Sequence, residues 1–148
     1  MSLTFDVYGR PAPQGSKRYV GGNRAQGGRF IEASKYLPAW RKAVTSTAVA
    51  IMEDEGWETC TDPVTLEVIF YLERPATISK EKRPWPIKPP DLDKLVRGIA
   101  DGLTDAGVWV DDDQVVHVIA WKCYADTREP GATVKVTPIV GGEGLDFS

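Results

Sequence analysis

Histidine, cysteine and long apolar runs are scarce in this chain of 148 residues. His117 is the only histidine, which excludes any mechanism or zinc site that needs two histidines from one subunit. Cys60 and Cys123 have neither the spacing of zinc ligands nor a pattern of bridges, as is typical of proteins in a reducing cytosol. No membrane span is expected, because the longest apolar runs are too short, and no secretion signal is visible at the N-terminus. These absences predict a cytoplasmic protein.

The length fits a single domain that buries roughly two-thirds of its unfolded surface. Alternating and helically spaced apolar residues predict strands at residues 3–7, 64–72, 115–123 and 132–140 and helices at residues 36–55 and 92–106. Residues 115–123 are apolar on both faces, so we expect a central strand with residues 132–140 as its hairpin partner. The sequence therefore predicts an α+β fold, a single domain in which a mixed sheet of about four strands packs against two main helices.

The net charge of −3 conceals a strong separation of charge along the chain. Residues 10–42 carry eight basic side chains and only one acidic side chain, Glu32, and residues 74–88 carry five basic side chains against Glu81. Residues 12–30 are rich in glycine, proline and arginine, which predicts a mobile basic loop, and we expect residues 141–148 to form a flexible tail. A polyanion could lie on the basic segments, although scattered lysines and arginines that merely solvate a surface remain an alternative.

Two acidic motifs dominate the remaining part of the chain. Asp91-Leu-Asp93 lies at the N-terminus of the second predicted helix, and Asp111-Asp112-Asp113 precedes the third predicted strand. Carboxylates that converge need a cation between them, and hard oxygen ligands favour Mg²⁺ or Mn²⁺, which keep positions for water and phosphate. Because the two motifs flank a helix N-terminus and a strand that we expect to be neighbours, we predict that they meet in one site.

The second predicted helix has an apolar stripe and, beside it, a polar one. Asp93, Arg97, Asp101 and Thr104 follow one another at helical spacing on the polar stripe, and Asp91 is placed to cap the helix. A solvated helix face with ion pairs is the simpler interpretation of this stripe taken alone. Gly98 and Gly102 lie on another side, where a second backbone can approach closely, either within the subunit or from another copy.

Three stretches together closely resemble the core of the RusA-like Holliday-junction resolvases. They are Pro90-Asp-Leu-Asp-Lys-Leu-Val-Arg97, Asp101-Gly-Leu-Thr-Asp-Ala-Gly-Val-Trp109 and Val110-Asp-Asp-Asp-Gln-Val-Val116. The N-terminal stretch from Val7 to Arg18 is similar to the opening of phage members. The resemblance implies a RusA-like fold and a homodimeric, Mg²⁺-dependent endonuclease, with Mn²⁺ as a substitute, that is phage-encoded or acts in a bacterial host cell.

Carried over by position, the resemblance also implies roles for individual residues. Asp91, Asp93 and Asp112 match the three catalytic carboxylates, and Asp111 is a neighbouring acid that could also hold the metal. Arg97 stands where the family commonly has a lysine, so it can grip phosphate but cannot donate a proton. The candidate catalytic residues are Asp91, Asp93, Arg97 and Asp112, the candidate metal ligands are Asp91, Asp93, Asp111 and Asp112, and the candidate DNA contacts are Lys17, Arg18, Arg24, Arg29 and Lys122.

The expected substrate is branched DNA with four arms, cut by paired hydrolysis of phosphodiester bonds in a homodimer. One alternative is a metal-dependent nuclease that acts on flaps or other branches, because the motifs do not encode the shape of the DNA. Another is a non-catalytic nucleic-acid-binding module in which the aspartates are structural. A calcium-stabilised domain is disfavoured, since no Asp-x-Asp-x-Asp-Gly loop with a distal glutamate is present.

Overall fold

The fold is described here from a computed structural model, in which residues 1–15 and 35–142 are described. Its elements are β1 (Leu3–Tyr8), α1 (Leu37–Glu55), β2 (Val64–Leu72), α2 (Leu92–Ala106), a 3₁₀ turn (Asp112–Gln114), β3 (Val115–Tyr124) and β4 (Gly131–Pro138). The predicted α+β domain with four strands and two helices is confirmed. No helix in the described part of the chain has the length and apolar character needed to cross a bilayer.

The order of the strands differs from the predicted order. The sheet runs β1-β4-β2-β3, with β4 antiparallel to both of its neighbours and β2 parallel to β3. The prediction that residues 115–123 form a central strand is therefore wrong, because β3 is an edge strand and β2 and β4 occupy the centre. The prediction of a β3–β4 hairpin is also wrong, since β2 lies between these two strands. Apolar residues on both faces of β3 led to the first error, and the turn predicted around residues 128–131 led to the second.

One face of the sheet carries both helices and the core. The alternating residues of β2, Val64, Leu66, Val68, Phe70 and Leu72, are buried on this face. On α1, Trp40, Val44 and Ala48 lie one helical turn apart and are buried, and α1 contacts both β1 and α2. Each buried aliphatic or aromatic side chain contributes roughly 1.5–3 kcal/mol of transfer free energy, so this layer supplies most of the driving force for folding.

The two glycines of α2 allow close packing within the subunit. A Cβ at Gly98 would lie 2.8 Å from the Ala12 carbonyl oxygen, and a Cβ at Gly102 would lie 2.8 Å from Val44 Cγ1. Of the two alternatives left open by the sequence, intrasubunit packing is therefore the one that these contacts favour. The amide of Gln14 donates to the Lys94 carbonyl at 3.0 Å, so residues 12–15, the start of the predicted mobile loop, pack against α2.

Candidate active site

Three aspartates converge on the turn that precedes β3. Carboxylate oxygens of Asp111, Asp112 and Asp113 lie within 4.8 Å of one another, and all three side chains are exposed. Asp111 is the N-cap of the 3₁₀ turn, and its carboxylate accepts a hydrogen bond of 2.9 Å from the Asp113 amide. Within the described residues this is the one group of three or more potential ligand side chains close enough to hold a metal ion.

Gln114 fixes this acidic turn through every hydrogen-bonding position of its side-chain amide. Its Oε1 accepts from the amides of Val110 and Asp111 at 2.9 and 3.0 Å. Its Nε2 donates to the carbonyls of Cys60 and Asp62 at 2.9 and 3.0 Å. The turn is thereby tied to the loop that leads into β2, and the aspartates project from a braced backbone.

The crowding of carboxylates changes the acidity of Asp112. Partial burial raises the pKa of the Asp112 carboxyl, and a hydrogen bond with Asp111 and the charges of Asp111, Asp101 and Asp113 raise this pKa further. The ionised form is therefore disfavoured in the metal-free protein, and a divalent cation would relieve the repulsion. Helix α2, which carries Asp101, also contacts the 3₁₀ turn that carries these carboxylates.

Asp91 and Asp93 lie at the N-terminal end of α2. Asp91 occupies the N-cap position as predicted, but its side chain makes no capping hydrogen bond. Its carboxylate is 3.6 Å from the ammonium of Lys94, and Asp93 is exposed in the first turn of the helix. Both carboxylates are therefore accessible to solvent, and the Asp91 carboxylate remains available to a ligand rather than to the helix.

The structure does not bring the two acidic motifs together within one subunit. Asp93 and Asp101 are separated by about 12 Å along the axis of α2, because an α-helix rises 1.5 Å per residue. Lys122, near the C-terminal end of β3, contacts the Pro90 carbonyl beside Asp91, whereas Asp112 precedes Val115 at the start of β3. Val115 and Lys122 are about 23 Å apart along the strand. The expectation that the aspartate triplet lies beside the helix N-terminus is corrected accordingly.

The polar stripe of α2 runs along the helix from its N-terminal end towards its C-terminal end. Arg97 is exposed between Asp93 and Asp101, one helical turn from each. Thr104 closes the stripe by donating to the Ala100 carbonyl at 3.0 Å and accepting from Trp109 Nε1 at 2.7 Å. A cationic side chain thus lies between two carboxylates of α2, Asp93 in the first acidic motif and Asp101.

The candidate DNA contacts divide into two groups. Lys17, Arg18, Arg24 and Arg29 lie outside the described residues. Lys122 is described: it is half-buried, and its ammonium donates to the main-chain carbonyls of Lys88 at 3.0 Å and Pro90 at 2.8 Å. Two of its three donors are therefore bound to protein rather than available to phosphate.

A basic cleft of about 640 Å³ adjoins the Asp91 end of α2. Arg10, Arg83 and Lys88 contribute positive charge to its wall and outnumber the acidic lining residues Glu73 and Glu129. Pro90 also lines the cleft. Arg74, the fourth basic residue of the cleft, makes two hydrogen bonds of 2.9 Å to the carboxylate of Asp126 and has a structural role. The second basic segment predicted from the sequence therefore contributes a positive surface next to the acidic residues.

Gln114 was not among the predicted site residues, yet its side chain makes more hydrogen bonds than that of any predicted site residue that the structure describes. A signal was present in the order Asp111-x-x-Gln114, the pattern of a capping box. The structure has both halves of that box, the Asp111 carboxylate bound to the turn and the Gln114 side chain bound to the N-cap amide. A short 3₁₀ turn before a strand is an unusual place for this motif, which normally opens an α-helix.

The family of the chain follows from a comparison with family models. No curated protein matches the chain significantly. The model of the family described as Endodeoxyribonuclease RusA matches residues 9–137, which include both acidic motifs, α2, Gln114 and Lys122. An endodeoxyribonuclease hydrolyses phosphodiester bonds within DNA, and accessible carboxylates next to a basic cleft suit that chemistry. With the match extending over most of its length, the chain belongs to the RusA family of endodeoxyribonucleases.

Proposed function

We propose that this protein is a metal-dependent, structure-specific endodeoxyribonuclease that resolves Holliday junctions by paired phosphodiester hydrolysis. The observation that carries the proposal is the convergence of the Asp111, Asp112 and Asp113 carboxylates within 4.8 Å in a chain of the RusA family. A non-catalytic DNA-binding module would have no use for three crowded carboxylates whose mutual repulsion opposes the attraction of a polyanion.

The donor set fits Mg²⁺, with Mn²⁺ as a substitute. All candidate ligands are carboxylate oxygens that are exposed to solvent, and partial desolvation together with the neighbouring carboxylates raises the pKa of the Asp112 carboxyl. When bound, such an ion polarises the scissile phosphate, activates a water molecule and stabilises the departing 3′ oxygen. Asp91, Asp93 and Asp112, with Asp111 beside them, are the residues proposed to hold it.

The other residues orient the DNA and balance its charge. Arg97 is exposed on the stripe between the acidic motifs and offsets negative charge that develops on the reacting phosphoryl group. Arg83 and Lys88 line the cleft next to the Asp91 end and attract the backbone of one arm. The basic residues Lys17, Arg18, Arg24 and Arg29 follow Gln14, which is hydrogen-bonded to α2 at Lys94, and we propose that they contact further phosphates.

A homodimer would bring the separated acidic motifs together. Within the described part of the chain β3 pairs only with β2, so its outer edge has free backbone donors and acceptors. Large apolar side chains are exposed along this edge, with Val116 64% and Trp121 57% accessible, and Val118 and Ile119 are exposed between them. A long, apolar, unprotected edge is normally covered by another chain.

Antiparallel pairing of two β3 strands gives the required geometry. In such a pair the C-terminal end of one strand lies opposite the N-terminal end of the other. The Asp91 and Asp93 of one copy, which lie near Lys122, would then approach the Asp111–Asp113 turn of the second copy. Two equivalent sites result, related by a two-fold axis, as paired cleavage of a symmetric junction demands.

Complementation between inactive variants tests the shared site. Asp93→Asn and Asp112→Asn homodimers should each fail to cleave a labelled four-way junction in Mg²⁺ while still binding it. A mixed dimer should regain one intact site, since Asp93 of one copy and Asp112 of the other remain together, and it should nick one strand of the junction. Asp54→Asn, which removes an exposed carboxylate from the end of α1, is the matched control and should behave as wild type.

The outcomes separate the possible arrangements of the site. If both acidic motifs served one site within a single chain, every site in the mixed dimer would lack a carboxylate, and no nick would form. Cleavage within tenfold of wild type by the Asp93→Asn homodimer at saturating Mg²⁺ would refute the metal-ligand assignment itself.

The interface has its own test. Val118→Lys places a charge in the middle of the β3 edge, so light scattering at micromolar concentration should report a monomer, and junction cleavage should be lost. Val49→Lys, the same substitution at an exposed valine on α1, should leave a dimer with full activity. A Val118→Lys protein that remains dimeric would place the interface elsewhere.

The shape of the preferred DNA is decided by direct comparison. Four-way junction, flap and linear duplex of the same sequence, each end-labelled, are incubated with the wild-type protein in Mg²⁺ or in EDTA. Cleavage of the junction in Mg²⁺ but not in EDTA supports the proposal. Preferential cutting of the flap would instead identify the protein as a flap endonuclease. Equal cleavage in Mg²⁺ and in EDTA would show that the reaction does not depend on a metal ion.

A further inference from the structure

Lys122 has contacts that differ from those expected of a lysine that binds DNA. It pairs in the sheet with Phe70 of β2, whose side chain is fully buried, so Lys122 projects towards the face of the sheet that carries the helices. From there its ammonium donates to the carbonyls of Lys88 and Pro90 at 3.0 and 2.8 Å. The side chain is half-buried, which limits the access of a phosphate to it.

The two carbonyls belong to the segment that leads directly into Asp91. Proline has no amide hydrogen, so Pro89 and Pro90 cannot donate hydrogen bonds that would anchor this segment to β3. Lys122 supplies the missing donors from the strand side, and a hydrogen bond from a charged donor is stronger than a neutral one. The Pro90 carbonyl is part of the peptide group that joins Pro90 to Asp91, so the anchor lies one residue before the candidate metal ligand.

We propose that Lys122 is a positioning residue that fixes the Asp91 end of α2 against β3 and so sets the location of the Asp91 and Asp93 carboxylates. This inference rests on the proposed function, because it assigns those carboxylates to a metal site. It replaces the expectation that Lys122 contacts DNA. Replacing Lys122 should therefore weaken the response to Mg²⁺ and leave the affinity for the junction unchanged.

The experiment compares Lys122→Met, which keeps a long unbranched stem without donors, with Lys122→Arg, which keeps charged donors. Lys135→Met is the control, because Lys135 is an exposed lysine on β4 paired with Glu67 in the sheet. Three quantities are measured for the full chain: the Mg²⁺ dependence of junction cleavage, the salt dependence of junction binding in EDTA, and the thermal unfolding temperature.

For Lys122→Met we expect the Mg²⁺ concentration at half-maximal rate to rise at least tenfold, with junction affinity within twofold of wild type and an unchanged salt slope. Lys122→Arg should restore most of the Mg²⁺ response, and Lys135→Met should match wild type throughout. Weaker binding by Lys122→Met with a salt slope reduced by about one unit would identify a phosphate contact and overturn the inference. An unaltered Mg²⁺ response would overturn it as well.

If Lys122→Met does not fold, Lys122→Gln retains a donor without the charge, and an unchanged salt slope is again the expected result, with a reduced slope refuting it. Failure of the wild-type protein to cleave in Mg²⁺ would refute the proposed function. A normal Mg²⁺ response in the variants would refute only the role of Lys122.

Discussion

The side-chain amide of Gln114 donates a hydrogen bond of 2.9 Å to the main-chain carbonyl of Cys60. This bond joins the acidic turn before β3 to the loop before β2, two segments that are 54 residues apart in the sequence. The same amide bonds Asp62, Val110 and Asp111, so a single uncharged side chain determines where the three aspartates project.

Gln114→Met removes all four of these hydrogen bonds with little change in side-chain volume. Each contributes a net 0.5–1.5 kcal/mol in general, and partial exposure reduces that value, so we expect the free energy of unfolding to fall by about 1–2 kcal/mol. Urea denaturation measures the change. Gln14→Met is the control, because the side-chain Nε2 of Gln14 donates only one long hydrogen bond of 3.5 Å, to the Gly15 carbonyl. Equal stability of the Gln114→Met and wild-type proteins would contradict the bracing role.

Replacement of Arg97 should separate charge stabilisation from proton transfer. Arg97→Ala is expected to lower the rate of junction cleavage roughly 10²-fold or more, by analogy with other groups that stabilise a developing charge. Arg97→Lys should retain substantial activity, since it keeps the positive charge. Single-turnover cleavage at saturating Mg²⁺ gives both rates. If the alanine variant cleaved as fast as wild type, Arg97 would have no catalytic role and would only lie on a solvated helix face.

The stability of the metal-free protein should depend on pH through Asp112. Burial, followed by the neighbouring carboxylates, raises the pKa of this carboxyl in the folded state. Its stabilising contribution is thus complete below the ordinary aspartate pKa and is lost as pH rises through the higher pKa of the folded protein. Asp112→Asn lacks this loss, so at neutral pH in EDTA it should be more stable than wild type.

Thermal unfolding in EDTA across the acid range measures this difference. The two proteins should converge in stability below the ordinary aspartate pKa, where Asp112 is protonated in both the folded and unfolded states. Adding Mg²⁺ at neutral pH should reverse the order, because only the wild type retains the full ligand set. A variant less stable than wild type in EDTA at neutral pH would contradict the repulsion among the three aspartates.

The basic segment after Gly15 should bind phosphate. Lys17→Ala combined with Arg18→Ala is expected to weaken junction binding and to flatten its dependence on salt by about one log unit per lost contact. Lys135→Ala is the control, since it removes one exposed positive charge from β4. Fluorescence anisotropy over a range of salt concentrations gives the slopes, and an unchanged slope in the double variant would remove these residues from the DNA surface.

Local pattern was sufficient to predict the elements, the helix ends and the family. The alternation from Val64 to Leu72 and the helical spacing of Trp40, Val44 and Ala48 each reflect burial of one face, which is a property of nearest neighbours along the chain. Gly56 and Gly107 end the two helices in the left-handed conformation that glycine adopts readily. The two acidic motifs and their spacing could likewise be identified without a structure.

Which residues are available for chemistry can be read from the amino-acid sequence, whereas their positions relative to one another follow from the tertiary fold. The order of the strands depends on long-range pairing, which apolar alternation does not encode, so β3 was wrongly assigned to the centre. The length of α2 then separates Asp93 from the Asp111–Asp113 turn, a consequence of the helix rise that motif spacing concealed. The roles of Lys122 and Gln114 rest on hydrogen bonds to the main-chain carbonyls of Pro90 and Cys60. No sequence pattern predicts these bonds, because a hydrogen bond depends on position in space and not on separation along the chain.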